Sequence, residues 1–264
     1  MLMPALAFLS HSHVDHPIAI EIASILGMFG FSGFLAHRDI ESGTEWREEI
    51  IQKLREATLL IAVVSPNFAE SEWTDQEVGF ALARPIPVLP VNAGMAPYGF
   101  LGHIQGVRWG EEAREGRTWV ASGRVWTREQ LVERQARFGA ALIHRGVMNR
   151  SDIVDKLMAS SSWDITSVLL SVIGDLNALS PTETVAVARA AASNNEVNNC
   201  FAARRILPAF LESRRQLLDP DLQAQLARVS MLAPSAQPGT AQEPEPAWGL
   251  GPVGGPPEEP DGPR

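Results

Sequence analysis

Thr58-Leu-Leu-Ile-Ala-Val-Val64, followed after a short gap by Ser71-Glu72-Trp73-Thr74-Asp75-Gln76-Glu77, decides the reading of this chain. The first run is continuously apolar and β-branched, as expected of a strand covered on both faces. The second opens a helix expected to run from Ser71 to Ala83. Trp73 and Glu77 are four residues apart, so a helix stacks an aromatic plate beside a carboxylate on one face. That pair suits a planar ring and a developing positive charge.

Outward from this centre, strand and helix signals alternate. Ala5 to Ser10 reads as a short buried strand, and Pro17 to Phe29 as a helix carrying Ile18, Ile22, Ile25, Leu26 and Phe29 at helical spacing. Gly30 and Gly33 break that helix, and Phe34 to Ala36 reads as a brief strand. Glu45 to Arg55 is a helix with Trp46, Ile50 and Leu54 on one face. Ile86 to Val91 is a strand whose two prolines suit an edge, and Val107 to Trp109 is a last short strand. Thr127 to Arg145 is a helix capped by Thr127 and ended near Gly146. The alternation predicts a parallel sheet with helices on both faces, and ligands beyond the carboxyl ends of the strands. Ser10 and His11, then His37 to Asp39, then the Ser71–Glu77 helix start follow strands one, two and three and should meet there.

From Ser151 the strand signals stop. Ser151–Met158, Trp163–Leu176, Pro181–Ala192, Glu196–Leu218 and Asp221–Val229 read as helices, with Asp152, Ser180 and Asn194 or Asn195 as caps. The segment carries no recognisable chemistry. From Ala233 the composition turns to Pro, Gly, Glu and Ala, the signature of a disordered tail.

The 264 residues, 45% of them hydrophobic, suffice for one good domain and a smaller one. A net charge of −9 argues against general nucleic-acid binding. The single cysteine, Cys200, excludes an internal disulfide and a thiolate zinc site. No stretch has transmembrane length, and the N-terminal Met1 to Leu9 lacks the basic flank of a signal peptide, so a cytoplasmic location with no membrane partner is the default expectation.

His11-Ser-His13-Val-Asp15-His16 matches the His-x-His-x-Asp-His pattern that loads two metals in metallo-β-lactamase-like hydrolases. Pro17-Ile18-Ala19 follows it here, where that family places a glycine pair. The remaining histidines, His37, His103 and His144, sit in no ligand motif, so no metal is expected. Gly27, Gly30 and Gly33 are spaced as turn residues and make no dinucleotide fingerprint.

Three segments taken in order resemble the Toll/interleukin-1 receptor (TIR) domains of bacteria, of the NAD-cleaving type. Ala7 to Asp15 is similar to the first box. Ala36 to Ile50 is similar to the second box, the loop that precedes the second helix, with Ser42 where a proline is usual. Ser65 to Ala81 is similar to the segment holding the catalytic glutamate, and Pro97-Tyr98-Gly99-Phe100 with Gln105 resembles bacterial members as well. The resemblance covers roughly Met1 to Gly146. It implies an α/β, flavodoxin-like TIR domain with a five-stranded parallel sheet over residues 1–146. A small all-α module over 151–230, for oligomerisation or for sensing an upstream ligand, and a tail over 233–264 lie outside it. It implies a hydrolase that uses NAD+ as substrate and needs no cofactor, with nicotinamide and ADP-ribose or a cyclic isomer as products. Glu77 would be catalytic, and Trp73, Ser10, His11, Arg38, Asp39 and Trp46 would bind substrate. It further implies self-association through TIR contacts, with a neighbour's loop completing the site, and a role as an anti-phage effector. A TIR scaffold without catalysis is the alternative.

Overall fold

The computed structural model describes residues 5–35, 46–109 and 127–234. Strand β1 (Ala5–Ser10) leads through a 3-10 turn (His13–Asp15) into α1 (His16–Met28), then β2 (Phe31–Phe34). Next come α2 (Trp46–Glu56), β3 (Leu59–Val64), the single turn α3 (Pro66–Ala69), α4 (Thr74–Ala83), β4 (Val88–Asn92) and β5 (Val107–Arg108). The sheet is five-stranded with order β2-β1-β3-β4-β5 and every pair parallel. The chain steps outward from β1 to β2 and then returns to the other side of β1 for β3. The gap between the carboxyl ends of β1 and β3 is therefore the switch point, where an open α/β sheet takes its ligands.

Strand alternation sorts the core into two layers. Ala7, Leu9, Leu59, Ile61, Val63, Leu89 and Val91 face α1 and the helices after β5, whereas Phe8, Leu60, Ala62, Val64 and Val88 face α2 and α4. Six consecutive buried residues in β3 follow from its central place in the sheet.

β2 begins earlier than its apolar run suggested and includes Gly33. A Cβ at Gly33 would stand 2.8 Å from Ala23 Cβ and 3.0 Å from Leu9 Cδ1. The glycine lets α1 lie close to the sheet; it does not end an element. β4 is an interior strand, contrary to the edge expected from its prolines. Pro87 precedes it. The peptide groups of residues 87 and 93 bond β3, as in Leu60 N–H to Pro87 O and Ala93 N–H to Val64 O. By alternation Pro90 faces β5, which pairs only with Val91 and Asn92. The N–H that proline lacks is thus on the side where the ladder has not begun.

After β5, α5 (Arg128–His144) starts at Thr127 in a capping box with Gln130, and Gly146 follows it at φ 68°. The helical segment continues as α6 (Arg150–Met158), α7 (Trp163–Ile173), α8 (Pro181–Ser193), α9 (Asn195–Asn198), α10 (Phe201–Ser213) and α11 (Pro220–Arg228). Asn149 is the cap of α6; the expected cap, Asp152, is its third residue and completes the box by accepting from Asn149 N–H. Ser180 and Asn194 cap as expected. The helix expected over 196–218 is interrupted at Asn199 and Cys200, where the extended backbone of Cys200 starts α10 afresh.

One continuous apolar cluster runs from the α1 face of the sheet through Phe138 and Leu142 of α5 into Ile153, Leu169, Val187 and Leu207. The helical segment is therefore packed on the sheet domain through α5. Gly139 is the contact point: a Cβ there would lie 2.5 Å from Val172 Cγ2 and 2.8 Å from the Phe29 ring. Gly139→Ala is expected to lower stability by about 1–2 kcal/mol, because overpacking outweighs the gain in helix propensity. The urea midpoint measures it.

Candidate functional site

Ser10 ends β1 with its side chain on the α2/α4 face. Glu77 lies in the first turn of α4, which the chain reaches after β3. The two meet at the switch point: Ser10 Oγ donates to Glu77 Oε2 at 2.5 Å. Both are buried, Ser10 at 1% and Glu77 at 7% exposure. Loss of solvent pushes the Glu77 carboxyl up to about 7, while the Ser10 hydrogen bond opposes the rise by favouring the charged form. A carboxylate poised near neutrality at the ligand edge of a sheet is a candidate for chemistry.

The local fold fixes α4 in place. Ser65 caps α3 by accepting Phe68 N–H, and the chain then turns before α4. Thr74 Oγ1 donates back to Phe68 O at 2.7 Å, so Ser71 and Glu72 belong to the turn and α4 begins three residues later than expected. Trp73 is its N-cap residue. The spacing still holds, since Trp73 O accepts Glu77 N–H at 3.0 Å. Tyr98 ties the β4–β5 connection to α4 by donating to Asp75 Oδ1 at 2.9 Å.

Trp73 is half-buried, and the Arg47 guanidinium carbon lies 5.6 Å from its ring centroid. Arg47 falls within the Ala36–Ile50 segment and carries no role of its own in the sequence pattern. Its pairing with Trp73 crosses 26 positions of sequence and has no local signal.

His11 is 5% exposed and both its ring nitrogens are engaged. Nδ1 faces Leu9 O at 2.8 Å, which can only accept, so Nδ1 carries a proton; Nε2 meets His16 Nδ1 at 3.1 Å, as acceptor when the His11 ring is neutral. The two imidazoles stack at 5.3 Å. His13 is exposed on the 3-10 turn. Among the described residues no group of three or more His, Cys, Asp or Glu is arranged to hold a metal. Asp15 is buried and accepts from Ser65 Oγ at 2.5 Å. Burial raises its carboxyl, and hydrogen bonds from Ser65 and Asn67 and the charge of His13 pull it back. The Asp15–Ser65 link joins the carboxyl ends of β1 and β3 beside the Ser10–Glu77 pair. The Ser65-Pro66 dipeptide, a turn and cap signal, could have located it.

Arg38 and Asp39 lie outside the described residues, as does the side chain of Trp46. Of the expected site residues, the structure bonds Ser10 to Glu77 through their side chains and Trp73 to Glu77 through the backbone; His11 meets Leu9 O and His16, the Trp73 ring meets Arg47, and Asp15 meets Ser65.

Removing the Ser10 hydroxyl removes the bond that favours the charged form of Glu77. Ser10→Ala is expected to move the Glu77 titration upward by about one pH unit. Carboxyl-carbon NMR of the labelled protein measures it.

Among the described residues no helix is long and apolar enough to cross a membrane. Residues 7–119 match the family model of the TIR domain. A protein of Brachypodium distachyon, "Probable 2' cyclic ADP-D-ribose synthase BdTIR", is 26% identical over 92 residues. The aligned stretch is 34% of this chain and 41% of that protein, so the chain spans less than half the length of this relative. The matched residues contain nearly all of the sheet, with its five parallel strands in the order β2-β1-β3-β4-β5, and they contain the Ser10–Glu77 pair. Residues 7–119 of this chain form a TIR domain.

Proposed function

We propose that the TIR domain cleaves the nicotinamide–ribose bond of NAD+, releasing nicotinamide and leaving ADP-ribose or a cyclic isomer of it. The observation that carries this reading is Glu77, a buried carboxylate held by Ser10 at the β1/β3 edge. The plant relative is named for a product of the same class, a cyclic ADP-ribose.

The chemistry asks for little more. The C1′–N bond of the nicotinamide riboside breaks with its electron pair going to the pyridinium nitrogen, so nicotinamide leaves neutral and needs no general acid. Positive charge develops on the ribose, as in other glycosidic cleavages. An ionised carboxylate beside the ribose offsets that charge and accepts from its hydroxyls, and in a site shielded from water this counts for more than in solution. Water then attacks C1′ and releases a proton, or a nucleophile of the same molecule closes a ring. Glu77 takes the carboxylate role. Trp73 bounds the ribose side, and Ser10 holds Glu77. His11, Arg38, Asp39 and Trp46 are assigned to substrate binding around it. Self-association would bring a neighbour's loop to this edge and complete the site, and the helical segment is the part available for oligomerisation or sensing.

Incubating concentrated protein with NAD+, with and without a crowding agent, and quantifying nicotinamide by chromatography tests the reading. Release supports it. Absence of release under every crowded condition favours a scaffold that assembles through TIR contacts.

A further inference from the structure

Glu77 accounts for the ribose, but NAD+ also carries a pyrophosphate, and a chain of net charge −9 must offer that dianion a local cation. Arg47 meets the requirement by position. It stands exposed in the first turn of α2, with its guanidinium over the Trp73 ring. Trp73 is bonded through its backbone oxygen to Glu77, one helical turn or about 5.4 Å further along α4. In NAD+ a single carbon separates the nicotinamide ribose from the pyrophosphate. The cation sits over the ring of the residue one turn before the ribose-holding carboxylate, within the span of a bound dinucleotide.

We infer that Arg47, braced on Trp73 at the start of α2, receives the pyrophosphate of NAD+ and selects for phosphorylated substrates; this rests on the NAD-cleaving reading. The side-chain type fits. A guanidinium is planar, so it can lie on an indole and still turn its N–H fork edgewise to two phosphate oxygens, which an ammonium cannot do. The first turn of a helix adds backbone dipole of the same sign. Glu48 and Glu49 follow Arg47 but are rotated about 100° and 200° around the helix, away from the face that meets Trp73. The indole serves as the plate that fixes the cation, which gives Trp73 a role in substrate choice as well as in shaping the ribose site.

The test compares NAD+ with nicotinamide riboside, which has the same scissile bond and no phosphate. In full-length Arg47→Ala the ratio of kcat/KM for NAD+ to that for nicotinamide riboside is expected to fall about 10- to 100-fold, mainly through KM. Arg47→Lys should restore part of it, and Trp73→Leu should lower it in the same direction. A ratio unchanged in Arg47→Ala, with both substrates losing equally or neither losing, overturns the inference, since a structural role cannot tell the substrates apart. Should wild type cleave neither substrate, the cleavage reading fails and calorimetry with ADP-ribose decides this point separately. Binding about 10-fold weaker in Arg47→Ala upholds the phosphate site, and equal binding overturns it.

Discussion

Glu77→Gln is expected to reduce nicotinamide release from NAD+ about 10³-fold, with the larger share in kcat. The substitution keeps shape and keeps an acceptor for Ser10 but removes the negative charge, and the charge is what opposes the cation forming on the ribose. Deleting one preorganised electrostatic partner of a transition state costs about 10²–10³ in other enzymes, and a full charge in a buried site belongs at the upper end. The interaction strengthens only as the C–N bond breaks, so KM should move little. Chromatography of released nicotinamide under single-turnover conditions measures it. Glu77→Asp, which retracts the carboxylate by one methylene and breaks the 2.5 Å contact with Ser10, should recover only a small part.

The same substitution is expected to stabilise the protein in alkaline solution. Burial raises the folded-state value of Glu77 from 4.5 to about 7. A carboxyl raised on folding contributes stability that is fully present below the unfolded value near 4.5. That stability is lost as pH rises through about 7, because the folded chain must then hold an unfavourable buried charge. The difference of two to three units corresponds to roughly 3 kcal/mol at full ionisation. Glu77→Gln carries no such charge. Its melting temperature should exceed that of wild type above pH 7, by about 2–4 °C for each kcal/mol recovered, and the two curves should converge toward pH 5. Differential scanning fluorimetry over that range reads the divergence. Asp15, also raised by burial, titrates in both proteins and drops out of the comparison. Gain in stability together with loss of activity marks a residue kept for chemistry, whereas a purely structural carboxylate would lower stability when replaced.

Much of the fold was legible because its strongest signals are local. The strand Ala5–Ser10 and the capped helix after Thr127 occur where the pattern puts them, since apolar runs and cap residues act within a few positions. The misreadings have a common origin in contacts distant in sequence. Gly33 looks like a breaker until Ala23 and Leu9 are seen to occupy the space its Cβ would need. Pro90 looks like an edge residue until the short reach of β5 is known. The start of α4 moved because Thr74 bonds back to Phe68, a choice that the helical spacing of Trp73 and Glu77 does not reveal. At the site, strand order brings Ser10 and the start of the Glu77 helix to one edge of the sheet, but it does not reveal the hydrogen bond between them. Ser10 is 67 residues away, and only the register of β1 beside β3 turns its hydroxyl toward α4. Likewise the packing of the helical segment through Gly139 and Val172 needs both helices in place to be visible.

The central claim is that the ionised Glu77 carboxylate performs the cleavage, and its most direct test is the pH dependence of nicotinamide release by wild type and Glu77→Gln side by side. The account predicts a wild-type rate that rises with a midpoint near pH 7, following ionisation of Glu77, and a variant about 10³-fold slower without that inflection. A Glu77→Gln protein that releases nicotinamide at the wild-type rate, or a wild-type profile that is flat through neutrality, would contradict it.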